Sequence, residues 1–214
     1  MLRPPFRPGS GRQALIAVGL ALACTTGVTA CSSVPTAPAV ISATPASQQR
    51  DQRLLAVTQF ALEAKLAVQF NGKGYTARLQ WQHTPATDQL RIFSPLGQQI
   101  ALIDRSAESV TLTDQSGKQH HAGDVASLTE KLLGWRLPLT GLSQWVLGTP
   151  HPHTEYEASY LSTGEPHTLR QDGWQIAYDD YKPTILPEIT ESLPGLVRLQ
   201  QDDIRLKLLI QHWE

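Results

Sequence analysis

The sequence contains little cysteine, no cluster of positive charge and no apolar run long enough to span a membrane. Only two of its 214 residues are cysteines, Cys24 and Cys31. Lysine and arginine are scattered, whereas nucleic-acid binding needs them in clusters, so we expect no nucleic-acid partner. The main apolar run, residues 14–28, is shorter than the ~20 residues of a transmembrane helix. The sequence also lacks a Gly-rich phosphate loop, which argues against the use of a nucleotide.

The first thirty residues have the order of a secretory signal. Three arginines form a basic start, the run 14–28 forms an apolar middle, and small residues precede the expected cleavage point. The sequence at that point is Val28-Thr29-Ala30-Cys31, which resembles the bacterial lipobox. We therefore predict a lipoprotein signal peptide over residues 1–30.

Cys31 is the predicted lipidation site. The lipobox resemblance implies a diacylglycerol on its thiol, cleavage before it and acylation of the new amino group, and we expect no other cofactor. Cys24 fits the pattern less well, because apolar residues would remain after the cut. Several acyl chains give a lasting anchor, whereas one chain binds a membrane only marginally. Because Ser32 rather than aspartate follows Cys31, the resemblance implies anchoring at the periplasmic face of the outer membrane.

The mature chain is acidic and suits one domain. Loss of Arg3, Arg7 and Arg12 leaves 15 of the 18 basic side chains against 19 acidic ones, a formal charge of −4. One cysteine is removed and the other acylated, so no disulfide is expected. We interpret residues 31–47 as the lipidated cysteine and a flexible tether. Residues 48–214 are predicted to form a monomeric domain that starts with a short helix.

Alternating apolar and polar residues predict that most of this domain is antiparallel sheet. The alternation runs through residues 62–70 and 75–82 on either side of Asn71-Gly72-Lys73-Gly74, which predicts a β-hairpin with one apolar face. A proline-rich crossing is predicted over residues 183–194. Further strands are predicted at residues 90–93, 100–103, 110–113, 118–121, 156–161, 168–171, 174–178, 196–200 and 204–213.

Two short helices are predicted in the middle of the domain. Asp124 can cap a helix whose apolar residues recur at helical spacing as far as Gly134. Pro138 opens a second segment that ends at Gly148, and both glycines are candidate hinges. Helices inserted between two runs of strands predict a mainly β (α+β) fold, in which a curved antiparallel sheet has its apolar concave face covered by helices.

Several segments together resemble the family of the outer-membrane lipoprotein LolB. Their order and spacing carry the resemblance, which covers nearly all of the mature chain. The segments are the lipobox, Phe93-Ser94-Pro95-Leu96-Gly97, Thr111-Leu112-Thr113-Asp114, Leu137-Pro138-Leu139 with Leu142-Ser143-Gln144-Trp145-Val146-Leu147-Gly148, Trp174-Gln175-Ile176-Ala177-Tyr178, and Ile204-Arg205-Leu206-Lys207-Leu208.

The resemblance implies an incomplete antiparallel β-barrel with a short helical lid over a hydrophobic cavity. It also implies a receptor that accepts lipoproteins from the periplasmic carrier LolA, holds their acyl chains and incorporates them into the outer membrane. LolA, the acyl chains of lipoprotein cargo and outer-membrane lipid would then be the partners. The membrane-release loop of the family carries an exposed leucine, and the matching position is Leu96, between Pro95 and Gly97. Ser94 departs from the asparagine usual in the family.

Apolar residues of the predicted strands and helices are the candidates for the cavity and its lid. An acyl-chain site needs an apolar interior, since each unpaired polar group would cost ~1–3 kcal/mol when dry. The same residues also suit an ordinary core, and Trp145 could either wall a cavity or plug it. The candidates are Leu66, Val68, Leu79, Trp81, Ile92, Leu128, Leu132, Leu142, Trp145, Val146, Trp174, Ile176, Leu206 and Leu208.

The residues that could support catalysis or metal binding are poorly arranged for either. A metal site needs three or four converging ligands, whereas the adjacent histidines His120 and His121 point to opposite faces of a strand. Asp179 and Asp180 diverge in the same way, and Ser143 lacks a Gly-x-Ser-x-Gly frame. We predict neither an enzyme nor a metal site. The alternative to the receptor is a structural outer-membrane lipoprotein that scaffolds an envelope complex and has a solid core.

Overall fold

The computed structural model of the protein describes residues 40–214. The predicted signal peptide, Cys31 and residues 32–39 of the predicted tether lie outside this range. The described chain forms one sheet of twelve strands and three helices. The helices are α1 (Pro45–Leu54), α2 (Val125–Leu133) and α3 (Leu139–Trp145). None of these helices is long and apolar enough to cross a membrane.

All strand pairs of the sheet are antiparallel. The strands are β1 (Val40–Ile41), β2 (Phe60–Phe70), β3 (Lys73–His83), β4 (Asp88–Phe93), β5 (Gln99–Arg105), β6 (Val110–Asp114), β7 (Gln119–Ala122), β8 (Tyr156–Leu161), β9 (Pro166–Gln171), β10 (Trp174–Ile185), β11 (Thr190–Gln201) and β12 (Ile204–Trp213).

The sheet is open, and its two ends are joined in sequence by the helices. The strand order is β1-β8-β9-β10-β11-β12-β2-β3-β4-β5-β6-β7, so β12, the last strand of the chain, pairs with β2. The segment that contains α2 and α3 leaves β7 at one end of the sheet and returns at β8, next to the other end. It covers the apolar face on the way. This arrangement confirms the predicted incomplete antiparallel barrel with short helices over its inner face.

The β2–β3 hairpin is confirmed, with a tighter turn than the sequence suggested. Asn71 and Gly72 form the turn with φ angles of 50° and 71°, as a two-residue hairpin turn of the primed type requires. Lys73 and Gly74 already belong to β3, and the pairing runs from Phe70–Lys73 to Phe60–His83. The hairpin therefore carries one unbroken register over the full length of both strands.

The predicted proline-rich crossing is wrong, because residues 183–194 belong mainly to two long paired strands. Pro183 is paired with Ser192 and Pro194 with Tyr181. The actual turn is short, with Leu186 and Ile189 exchanging backbone hydrogen bonds. Proline is accepted at strand positions whose N–H is not needed by the ladder, and register alone decides which positions these are.

The tether predicted over residues 31–47 ends earlier than expected. Val40 and Ile41 pair with Leu161 and Tyr160 of β8, and α1 begins at Pro45 rather than at residue 48. Thr44 caps this helix through a reciprocal bond with Ser47. The Ser, Thr and Pro content that suggests a flexible segment is equally the composition of a helix N-terminus.

The described fold has one continuous hydrophobic core. Residues 40–214 belong to one compact unit, and thirty buried apolar side chains from α1, the lid helices, the sheet and their connections form a single cluster within it. A separate core is what a domain needs in order to fold alone, so this unit can be studied without the residues that precede it.

Candidate functional site

The inner face of β2 changes from closed to open along the strand. Leu62 and Ala64 are buried, whereas Leu66, Val68 and Phe70 are only partly so. The open end carries the β2–β3 turn. Strand β4 runs toward this end and stops opposite Arg78, so the loop at residues 94–98 that follows β4 lies on the same side. We call this end of the sheet the mouth.

Helix α2 begins and ends where the sequence predicts. The Asp124 side chain accepts a hydrogen bond from the Ser127 backbone N–H at 2.8 Å, and Gly134 ends the helix with a φ of 82°. A Cβ at Gly134 would lie 3.3 Å from the Phe70 ring, so the C-terminal end of α2 packs closely on β2. Leu133, at this end, is half exposed.

Helix α3 and the residues after it are buried against the sheet. Trp145, Val146 and Leu147 have no exposed surface. The Trp145 ring folds back over Gly141, where an added Cβ would lie 2.5 Å from the indole. The Trp145 indole N–H donates to the Gln171 Oε1 at 2.8 Å. In this conformation the Trp145 ring lies within the apolar core and occupies interior space, the arrangement that we call the plug.

Gln171, at the end of β9, holds Trp145 in place. The sequence analysis did not identify this residue. Its side chain is buried, and its Oε1 also accepts from the His151 backbone N–H at 2.8 Å. Its Nε2 donates to the His151 carbonyl at 2.7 Å and to Thr154. One side-chain amide thus joins the α3 segment, by which we mean α3 and the residues that follow it as far as His151, to the sheet. A glutamine in an amphipathic strand carries no sequence signal of such a role.

Arg50 is the second residue that sequence reasoning missed. It lies on α1 with 3% of its surface exposed and donates to the Gly148 carbonyl at 2.7 Å and the Ser192 carbonyl at 2.9 Å. Glu191 lies 3.7 Å from its Nε. Burial raises the pKa of neighbouring Asp51, although hydrogen bonding by Tyr160 and the charge of Arg50 act in the opposite direction. This polar cluster ties α1 to the end of the α3 segment.

The structure brings all fourteen cavity and lid candidates into one apolar cluster. Ten are buried and four are partly exposed against it. The partly exposed ones, Leu66, Val68, Ile92 and Leu132, lie nearer the mouth on strands β2 and β4 and at the end of α2. The buried ones are Leu79, Trp81, Leu128, Leu142, Trp145, Val146, Trp174, Ile176, Leu206 and Leu208.

The loop at the mouth presents a leucine to solvent. The Gly97 N–H donates to the Ser94 carbonyl at 2.9 Å, and Ser94 and Gln98 pair through their backbones at 2.8 Å. The Ser94 Oγ accepts a further bond from the Gln98 N–H, and Gly97 has a φ of 86°. This tight turn directs Leu96 outward with 98% of its surface exposed.

The candidate catalytic and metal-binding residues have structural partners. His120 and His121 interact separately with Asp114 and Thr111, and the rings of His151 and His153 contact each other. Asp179 pairs with Arg198, Asp180 pairs with Lys182, and Ser143 donates to the Thr140 carbonyl. Within residues 40–214 no three potential ligands converge on a common metal position.

Comparison with known proteins identifies the family. A family model described as "Outer membrane lipoprotein LolB" matches residues 58–213. The chain belongs to the LolB family. It is 35% identical to an outer-membrane lipoprotein LolB from Nitrosomonas europaea, over 79% of this chain and 78% of the relative. It is 31% identical to the Yersinia enterocolitica LolB, over 86% of this chain and 89% of the relative.

A solved structure with very low sequence identity shares the fold. A DUF1329 family protein from Desulfovibrio piger aligns with a TM-score of 0.50 at 6% identity, over 78% of this chain and 90% of its own. Membership of the LolB family confirms the predicted class of this chain, an outer-membrane lipoprotein rather than an enzyme. The family residues placed by resemblance, among them Leu96 and the lid, remain predictions about role.

Proposed function

We propose that this LolB-family protein accepts lipoproteins from the periplasmic carrier LolA and incorporates them into the outer membrane. The observation that supports this proposal best is the graded inner face. An apolar surface that is sealed at one end and half exposed at the mouth suits a ligand that enters lengthwise, as an acyl chain would. Cys31, when lipidated, would hold the protein on the periplasmic face of that membrane.

Acyl chains would replace the side chains of the lid rather than enter an empty space. Burial of one methylene gains ~0.8 kcal/mol, so a full acyl chain represents on the order of 10 kcal/mol of gross transfer free energy. Displacement of Trp145 and its neighbours exposes apolar surface and offsets part of this gain. The net affinity for an acyl chain therefore depends on how much of the gain this displacement offsets. A receptor that takes cargo from a carrier and passes it to a membrane requires such an adjustable affinity.

Gly134 and Gly148 are the proposed hinges of the lid. Both have positive φ angles, 82° and 74°, which glycine adopts without strain, and they lie at the ends of α2 and of the α3 segment. Movement about these two points would carry α3 away from β9 and break the bond of Gln171 to Trp145, whereas His151, which follows Gly148, could keep its bonds to Gln171.

The filled interior equally suits the alternative, a structural lipoprotein with a solid core. The two functions differ in whether the protein takes up lipid. We would load LolA with a lipidated cargo, mix it with the unit Ala37–Glu214 and determine by pull-down which protein holds the cargo. Transfer of cargo onto this unit supports the receptor. Cargo that stays on a carrier already shown to deliver to another LolB would leave the structural function in its place.

A further inference from the structure

The register of the sheet assembles a basic face that the linear sequence does not show. On the outer surface Lys65 is paired with Arg78, and Lys207 lies one strand further on, opposite Ala67. Arg205 precedes Lys207 by two residues on the same side of β12. All four side chains are exposed. These residues are separated in sequence, so they become neighbours only when β12 pairs with β2. We call them the basic face.

The four side chains of the basic face have no ion-pair partner among the described residues, whereas Arg198 on the adjoining strand pairs with Asp179. Arg78 lies instead over the Phe93 ring, 4.8 Å from its centroid, just before the Leu96 loop. The mature chain as a whole has a charge of −4, so this face is opposite in sign to the average surface.

A groove joins the basic face to the Leu96 loop. It has a volume of about 460 Å³, and its lining includes Lys65, Arg78 and Lys207 together with Pro95 and Gly97. The small apolar residues Ala67 and Ala77 and the side chain of Leu209 also line it. An exposed leucine therefore lies beside unpaired cations.

We propose that the basic face binds the headgroups of anionic phospholipids and orients the protein so that Leu96 enters the bilayer. Basic side chains near an anionic membrane each favour binding, and an apolar residue beside them adds a short-range insertion term. Because the rest of the mature chain is acidic, other orientations would be repelled by the same membrane. The mouth is then directed at the surface that receives cargo, so this inference rests on the proposed receptor function.

The test compares two pairs of substitutions with the same change of charge. Arg78→Gln with Lys207→Gln removes two cations from the groove. Arg53→Gln with Lys182→Gln removes an exposed arginine and an exposed lysine near the turn between β10 and β11, away from the groove. There Arg53 forms an ion pair with Glu191, and Lys182 is paired with Leu193 on the neighbouring strand. Co-sedimentation of the unit Ala37–Glu214 would be measured with vesicles of phosphatidylcholine alone and with about one fifth phosphatidylglycerol.

The unsubstituted unit should bind the phosphatidylglycerol vesicles several-fold more strongly than the neutral ones, and added salt should remove the difference. Arg78→Gln with Lys207→Gln should weaken binding to the anionic vesicles by about tenfold, and the control pair by less than about twofold. Equal binding to both vesicles, or equal losses in both pairs, would overturn the proposal.

Cargo transfer from LolA, measured without vesicles, separates this inference from the receptor function. The Arg78→Gln, Lys207→Gln variant should accept cargo as the unsubstituted unit does. If both accept cargo but vesicle binding ignores anionic lipid, only the basic-face inference fails. If the unsubstituted unit accepts none, the receptor function fails. If the variant loses cargo uptake and keeps vesicle binding, the basic face contacts the carrier protein, which also overturns the inference.

Discussion

Leu96 is held in a position that packing within the described chain does not explain. It is almost fully exposed, in a turn whose shape is fixed by Ser94 and by the positive φ of Gly97. A single exposed leucine is common in proteins, so exposure alone does not assign it a role. Its place beside the mouth and the basic face is what makes membrane insertion testable.

Leu96→Glu should leave cargo uptake from LolA intact and reduce cargo delivery to vesicles by at least tenfold, because a carboxylate is costly to move into a bilayer. Delivery would be measured as cargo that floats with vesicles. Ile185→Glu is the matched control, since Ile185 is also an exposed aliphatic residue but lies at the far end of β10. Equal loss of uptake and delivery in Leu96→Glu would contradict a release role.

A buried carboxylate, Asp88, is the clearest source of acid sensitivity in the chain. It accepts from the Trp81 indole N–H at 2.8 Å and interacts with the His83 Nδ1 at 2.6 Å and with Arg105. Burial alone raises its pKa, but the hydrogen bonds from these three side chains outweigh it, so its pKa is lowered from 3.8. A lowered folded-state pKa stabilises the protein above pH 3.8, and this contribution is lost as the pH falls further.

Asp88→Asn should reduce the free energy of unfolding at pH 7 by about 2–3 kcal/mol, because it weakens a buried charge-assisted network. The loss should become smaller as the pH falls below about 4, since Asp88 of the unfolded wild-type chain is protonated there, and smallest once the folded carboxylate is protonated as well. Urea unfolding at several pH values measures both effects. The exposed Asp203→Asn serves as the control, and a loss from Asp88→Asn that stays the same at every pH would disprove the assignment.

Among the elements, α3 depends on a glycine in its interior. Glycine normally weakens a helix relative to alanine, so helix propensity alone predicts that Gly141→Ala stabilises the protein. The structure predicts the opposite, since the new Cβ would lie 2.5 Å from the Trp145 ring. The indole occupies the space that any larger residue at position 141 would need.

Gly141→Ala should therefore lower the free energy of unfolding by about 1–3 kcal/mol through overpacking and alter the near-ultraviolet circular dichroism of the tryptophans. Gly123→Ala is the control, because no heavy atom lies within 4 Å of a Cβ at that position and its φ is not positive. An increase in stability from Gly141→Ala would show that Trp145 rotates away at little cost.

The structural elements differ in how far local sequence predicted them. The cap and stop of α2 at Asp124 and Gly134 act through bonds a few residues apart, so its boundaries could be read directly. The β10–β11 ribbon could not, since Pro183 and Pro194 argue locally against strands. Whether a strand tolerates these prolines depends on their pairing partners, which lie about ten residues away in the opposite strand.

In the molecule as a whole, Trp145 occupies the space beneath the lid in which the proposed function places an acyl chain. The two cannot occupy it together, because the indole is fully buried against Gln171 and 6.5 Å from the Trp174 ring. The proposed uptake of an acyl chain would therefore loosen the segment between Gly134 and Gly148, while the long central strands keep their pairing.

Hydrogen exchange measured with and without palmitate tests this expectation. Backbone amides of residues 135–147 should exchange at least several-fold faster when the ligand is bound, and those of β10, β11 and β12 should be unchanged. Octanoate, with fewer methylenes to bury, should bind more weakly and have a smaller effect. Palmitate binding, seen by tryptophan emission, without faster exchange in the lid would mean that the interior opens elsewhere.

The sequence by itself determined what depends on neighbouring residues: the alternation that makes strands, a hairpin turn within Asn71-Gly72-Lys73-Gly74, and the caps of α2. Tertiary structure decided what depends on distant partners. Gln171 and Arg50 hold the lid because β9 and α1 lie beside the end of the α3 segment, and Trp145 plugs the interior because Gly141 leaves room for its ring. The basic face exists because β12 pairs with β2, a contact between the two ends of the domain that no local pattern contains.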